Sequence, residues 1–236
     1  MGQITWLEPD SINFPDTSLA LDDPNGLLAA GGDLSCERLL AAYAQGIFPW
    51  FSDNQPVLWW TPSPRLVLFP EKLQINRSTR KFANKRPFTF SVDTAFNKVI
   101  YECAHVQRNG EGTWITDEVR TAYCKLHEQG KAHSVEAWQN GKLVGGLYGI
   151  ALGKVFFGES MFSLVSGASR LAFITLCLQL KAWDFQLIDC QVETDYLLSF
   201  GAEEINREEF EGLLQIHTKA NSVKWQQAWT MPDYGL

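Results

Sequence analysis

Residues 133–163, HSVEAWQNGKLVGGLYGIALGKVFFGESMFS, constrain the fold more than any other stretch. Asn140-Gly141 stands between two strand-like runs, and this pair is the strongest short signal for a tight hairpin, because both turn residues must take positive φ. A second turn at Gly153 leads into KVFFGESMFS, so the stretch predicts a three-stranded antiparallel meander. Glycines 145, 146, 149 and 158 lie inside these strands. They mark either a bulge and tight packing or the close approach of a ligand.

The flanking segments complete a mixed architecture. RLVLF and FTFSV read as strands. DTAFNKVIYECAH reads as a helix capped by Asp93, and TDEVRTAYCKLHEQG as a helix from Thr116 to a stop at Gly130. After the meander, ASRLAFITLCLQLKAW is a buried helix, FQLIDCQVE a strand returning beside the meander, and NREEFEGLLQIHTK a further helix. That order is the layout of an α+β, acetyltransferase-type mixed sheet. Fold analogy alone does not assign chemistry. The first sixty residues differ: DDPNG and AAGGD are breakers, one short helix runs between Ser35 and Gly46, and prolines 49, 56, 62 and 64 exclude regular helix around five aromatics. The expected division is therefore a small N-terminal domain over 1–64 and a larger domain over 65–236.

Composition excludes several classes. The longest apolar run, Leu171–Leu178, is too short to cross a bilayer, and the acidic N-terminus lacks a basic signal region. The five cysteines and four histidines are scattered without metal-ligand spacing. A soluble, cytoplasmic protein without metal is expected. The net charge of −7 conceals a local excess: residues 65–90 hold seven basic residues against one acid, so that window carries +6 and the remainder −13. A basic patch on an acidic body can grip phosphates, although NRSTRKFANKR also fits an ordinary solvated helix face or loop.

Within LIDCQVE, alternation places Ile188, Cys190 and Val192 on one side and Asp189, Gln191 and Glu193 on the other. A wet strand face explains this, and so does a site. Glu159 lies in an equally apolar run, and the two acids could become neighbours across a cleft, raising one another's pKa or holding a cationic substrate group. Trp50, Trp59, Trp60 and Trp114 could stack bases or could form a small aromatic core. No G-x-S-x-G elbow, phosphate loop or dinucleotide fingerprint is present, and SGASR lacks the Q/R-x-x-G-x-G/A loop that holds the pyrophosphate of coenzyme A. No covalent nucleophile and no cofactor are implied.

PNGLLAAGGDLS, LLAAYAQGIFPWF, LWWTPSPR, GTWIT, AYCKLHEQGKAHSVE, LVGGLYGIALGKVFFGESMFS and LIDCQV stand in this order across residues 24–192. Together they closely resemble the bacterial leucyl/phenylalanyl-tRNA–protein transferases. The resemblance implies a small N-terminal domain plus an acetyltransferase-like domain. It also implies transfer of Leu, Phe and, less efficiently, Met from aminoacyl-tRNA to the α-amine of proteins beginning with Arg or Lys, which marks them for N-degron degradation. By position, Asp189 and Gln191 match a relay that orients and activates the amine, with Asp189 expected to hold the Gln191 amide. Glu159 would hold the acceptor's Arg or Lys. Leu147, Met161, Phe173 and Ile188 match the wall of the amino-acid pocket, and Trp50, Trp114 and Tyr123 the surroundings of the terminal adenosine. Arg77, Arg80, Lys81, Lys85 and Arg86 are the candidate contacts to the tRNA acceptor stem. Gly167–Arg170 and Asp195-Tyr196 depart from the usual family residues and bear on fine specificity. The rival readings are a coenzyme A-dependent N-acetyltransferase and a non-catalytic tRNA- or degron-binding module.

Overall fold

A computed structural model describes residues 4–106 and 113–223, together with 225 and 229. Its first part contains strands β1 (Thr5–Leu7) and β2 (Leu27–Gly31), helix α1 (Cys36–Tyr43), and strands β3 (Phe48–Pro49) and β4 (Leu58–Trp60). The strands form a four-stranded sheet in the order β1-β2-β4-β3. None of these short strands was legible in the sequence. Their lengths of two to five residues leave no alternation to read. Helix α1 forms where expected, with the Ser35 hydroxyl accepting the Arg38 N–H and Gly46 at φ 75° just beyond its end.

The larger sheet begins with β5 (Arg65–Leu68), followed by α2 (Arg77–Ala83), β6 (Thr89–Val92), α3 (Phe96–His105) and α4 (Asp117–Glu128). The meander follows as β7 (Ala132–Gln139), β8 (Lys142–Leu152) and β9 (Val155–Ser163). The chain ends in α5 (Ala168–Ala182), β10 (Leu187–Gln191), α6 (Asp195–Leu198), β11 (Glu203–Ile205) and α7 (Arg207–His217). Seven strands pair in the order β11-β5-β10-β9-β8-β7-β6. All neighbours are antiparallel except β9 and β10, which run parallel because α5 carries the chain back across the sheet. Asn140 and Gly141 take φ 52° and 73°, as the hairpin turn requires. The α+β mixed-sheet class expected from the sequence is the one observed.

Two apolar clusters cover the two faces. On one face α1, α3, α4 and α7 supply Tyr43, Ile100, Tyr123 and Phe210; on the other, α5 packs Leu171, Phe173 and Leu176 against Leu147, Phe156 and Ile188. The first cluster also includes Leu28, Phe48 and Trp59, so the small sheet and the large one share a core. The tail contributes Trp225, which stacks on His133 at 4.0 Å. One local expectation needs correction, and one alternative left open by the sequence is decided. Asp93 is not the cap of α3: it sits at φ 55°, accepts the Ser134 N–H at 2.9 Å and pairs with His133 at 2.8 Å, while Ala95 occupies the cap position. Of the intra-strand glycines, three are required by packing: a side chain at Gly145 would strike Ala168 of α5, one at Gly146 the Val135 carbonyl and one at Gly149 the Phe157 carbonyl, whereas one at Gly158 would meet only the Asp189 carbonyl at an ordinary 3.5 Å.

Candidate active site

Strands β9 and β10 pair from Leu187–Val155 to Asp189–Phe157, and there their ladder stops. Both strands are irregular just beyond. On β9, Tyr148 faces Ser160 and Gly149 faces Gly158, which leaves Glu159 as the extra residue of a bulge. On β10, Asp189 faces Val67 and Gln191 faces Leu66, and Gln191 takes φ 65°. Bulges re-aim side chains. Here they turn Glu159 and Gln191 toward each other, with Gln191 Nε2 donating to Glu159 Oε1 at 3.1 Å.

Glu159 gathers two further donors. The Tyr43 hydroxyl, from the end of α1, donates to Oε1 at 2.7 Å, and the Tyr123 hydroxyl, from α4, donates to Oε2 at 3.0 Å. The two phenol oxygens also lie within hydrogen-bonding reach of each other, and the third proton that this triangle needs is the one a protonated Glu159 carboxyl holds. Desolvation pushes the Glu159 carboxyl up to about 8; the negative Asp189 adds to the rise, while the two phenols and Arg65 oppose it. Burial, reinforced by Glu159, holds both phenols well above their ordinary range, so they remain donors. The result is a carboxyl poised near neutral pH inside a ring of fixed donors, the property expected of a group that manages protons.

Asp189 is 0 % exposed, which rules out the wet-face reading of its strand. Its partners differ from those expected. Arg65, counted in the sequence as part of the basic window, is itself only 1 % exposed and forks onto Asp189, Nε to Oδ1 at 2.8 Å and Nη2 to Oδ2 at 2.7 Å. Asp189 Oδ1 also accepts the Gln191 backbone N–H at 2.9 Å. Asp189 thus holds the main-chain amide of Gln191, and the side-chain amide goes to Glu159. The expected neighbouring acids are close enough to interact, and the cation that pairs with Asp189 is the protein's own Arg65, from β5.

The remaining candidates fall into three places. Leu147, Phe173 and Ile188 are buried and Met161 half-buried in the cluster on the opposite face of β10, with Leu147 and Met161 directly paired across β8 and β9. Trp50 is 49 % exposed beside Trp60, ring centres 5.6 Å apart, and Trp114 is half-buried against the other cluster. Trp59 is core: it is fully buried and donates to the Gly31 carbonyl at 2.9 Å. Arg77, Arg80, Lys81, Lys85 and Arg86 all lie exposed on α2 and the turn that follows. Of the other basic residues in that window, Arg65 is buried and Lys72 pairs with Glu203.

Sequence reasoning missed Tyr43 and Arg65. Tyr43 reads as an apolar-face residue of a short helix, and Arg65 as one more surface cation. Only the fold brings them to Glu159 and Asp189, across 116 and 124 positions of chain. Among the described residues no group of three His, Cys, Asp or Glu side chains could hold a metal, and no helix is long and apolar enough to cross a membrane.

Comparison with known proteins adds an independent finding. Residues 67–215 match the family model described as leucyl/phenylalanyl-tRNA protein transferase, and residues 32–63 match the model of that family's N-terminal domain. A leucyl/phenylalanyl-tRNA–protein transferase of Saccharophagus degradans is 54 % identical over 240 residues, covering 100 % of this chain and 99 % of the relative. The Teredinibacter turnerae protein of the same name is 56 % identical over 218 residues, covering 92 % and 84 %. That of Pseudomonas fluorescens is 52 % identical over 223 residues, covering 94 % and 99 %.

Proposed function

Because this chain belongs to the leucyl/phenylalanyl-tRNA–protein transferase family, we propose that it moves Leu, Phe and, less efficiently, Met from aminoacyl-tRNA to the N-terminal α-amine of proteins beginning with Arg or Lys. The observation that carries the chemistry is the Gln191–Glu159 contact at the mouth where β9 and β10 part. The acceptor amine, with an ordinary pKa of about 7.7–8.0, is already partly neutral in the cell. It attacks the ester carbonyl carbon, a C–N bond forms, and the ester C–O bond to the terminal ribose breaks. The amine sheds one proton and the departing ribose oxygen gains one. Such a reaction needs positioning more than covalent catalysis, and effective molarity is the large lever.

Gln191 suits the positioning role. With its Nε2 committed to Glu159, its carbonyl oxygen is the end available to accept a hydrogen bond from the attacking amine. A Glu159 carboxylate on Nε2 would strengthen that acceptor. Asp189 acts through the Gln191 main chain. The cationic side chain of an Arg- or Lys-started acceptor near Glu159 would draw its carboxyl toward the charged form. On the other face, half-buried Met161 would form the lip of a donor pocket opened among Leu147, Phe173 and Ile188, with which it packs in the apolar cluster. A pocket of this kind separates Leu, Phe and Met from β-branched side chains by about 1–3 kcal/mol.

Trp50 and Trp114 would stack the terminal adenosine, a contact of about 1–3 kcal/mol for each base, with Tyr123 supporting them through Glu159. The five exposed cations around α2 would meet acceptor-stem phosphates without reading sequence. The division near residue 64 would separate a small unit, which supplies Tyr43 and Trp50, from the unit that carries the chemistry. The products would enter N-degron degradation, in the cytoplasm. Incubating the protein with labelled Phe-tRNA and an Arg-started peptide should place label in the peptide. Absence of label with both Phe-tRNA and Leu-tRNA would overturn the reading.

A further inference from the structure

We propose that Arg65 is a positioning residue for aminoacyl transfer, acting through Asp189 to set the turn that aims Gln191 at Glu159. The inference rests on the function proposed above, to which it adds a residue and a task. Three observations carry it. The guanidinium of Arg65 is clamped between the Phe48 and Phe210 rings, 4.8 and 4.7 Å from their centres, which fixes its plane. Two parallel hydrogen bonds then fix the plane of the Asp189 carboxylate. Finally, Asp189 Oδ1 receives the Gln191 N–H at a residue whose φ of 65° is unfavourable for a side-chain-bearing amino acid, a conformation that persists only where its surroundings impose it. Pairing between β9 and β10 has ended by this point, so Gln191 has no strand partner on the β9 side to hold it. The path runs Phe48 and Phe210 to Arg65, to Asp189, to Gln191, to Glu159.

A Lys at position 65 would keep the charge but lose the planar fork. The purely structural alternative is that Arg65 only neutralises a buried carboxylate, and two variants of the full chain separate the two. In Arg65→Lys the charge survives and the geometry does not. In Arg65→Met with Asp189→Asn no charge remains buried, and the Asn oxygen can still accept the Gln191 N–H. We expect both to melt close to the parent while kcat falls about 30-fold, on the scale of a small misplacement of reacting groups, with KM for Phe-tRNA within threefold. Parental kcat in either variant would overturn the proposal. A variant that unfolds is replaced in the test by Arg65→Gln with Asp189→Asn, read by the same criteria.

A second readout does not depend on turnover. In the parent, the Gln191 side-chain amide signals in a nitrogen-15 NMR spectrum should follow the titration of Glu159. In Arg65→Lys that response should vanish, and an unaltered response would overturn the proposal. If the parent transfers no label at all, the proposed function fails while this amide measurement still decides the role of Arg65.

Discussion

On one face of β9 and β10, Glu159 and Asp189 meet Tyr43, Tyr123, Gln191 and Arg65 through hydrogen bonds of 2.7–3.1 Å. On the other, Met161 and Ile188 lie with Leu147 and Phe173 in a packed apolar cluster. The polar face depends on direction, so displacing one atom breaks a path that runs through every member. The apolar face depends on volume, which neighbouring side chains can partly refill. Damage to the first should therefore be steep and indifferent to the amino acid carried by the tRNA. Damage to the second should be graded and selective among amino acids.

The sharpest way to break this contrast is Asp189→Ala. It leaves the Arg65 charge buried and unpaired, which should cost about 3–5 kcal/mol of stability, read as a lowered melting temperature. Transfer should fall about 100-fold, equally for Leu and Phe, because the turn at Gln191 loses its anchor. Retained binding of aminoacyl-tRNA to the folded fraction separates lost chemistry from lost affinity. A loss confined to one amino acid would move Asp189 to the specificity side of the comparison.

Phe173→Ala probes the opposite face. The truncation should also cost about 3–5 kcal/mol in stability, but transfer of Phe and Leu should change by different factors, about 10-fold apart at most. Competition between the two charged tRNAs in one tube measures that ratio, and equal losses would contradict the pocket assignment.

Glu159→Gln should have a smaller effect, visible in the pH dependence of stability. With its carboxyl raised to about 8, folded Glu159 keeps a proton that the unfolded chain has already released. Stability from this group is thus full below the ordinary carboxyl range of about 4.3 and is lost as pH rises to about 8. The Gln variant should lack that decline. Melting curves on either side of the window check it, and an identical slope in the two proteins would show that Glu159 is not the group responsible. The smallest change belongs to neither face. Arg80→Ala with Lys81→Ala should weaken tRNA binding modestly and reduce its log–log salt slope by about one to two, while the kcat for either amino acid stays at its parental value.

The polar face was only half legible in the sequence. Asp189, Gln191 and Glu159 stood out because polar residues interrupt apolar strands, and the meander was readable because alternation and Asn140-Gly141 are local signals. Their partners were not readable. A bulge leaves no periodic trace, so nothing in GES announced that Glu159 would leave the ladder, or in DCQ that Gln191 would take a left-handed turn. Phe173 and Ile188 were readable as apolar positions of a buried helix and a strand, but their place in a pocket wall came from the resemblance to the transferase family alone. What the patterning could not supply was the closed polar cluster, which depends on Tyr43 and Arg65 arriving from remote segments.

The clamp around Arg65 has a consequence for anyone dividing this gene. Phe48 belongs to the small sheet and Phe210 to α7, and both rest on the same guanidinium. Tyr43, also from the first part of the chain, supplies a bond to Glu159. A fragment starting at residue 65 would carry every candidate of the Asp189–Gln191–Glu159 cluster and still leave Arg65 half-clamped and Glu159 short of a donor. Two halves expressed separately should therefore be inert apart and regain turnover only on reassembly, a ready-made split reporter whose signal requires both ends of the polypeptide.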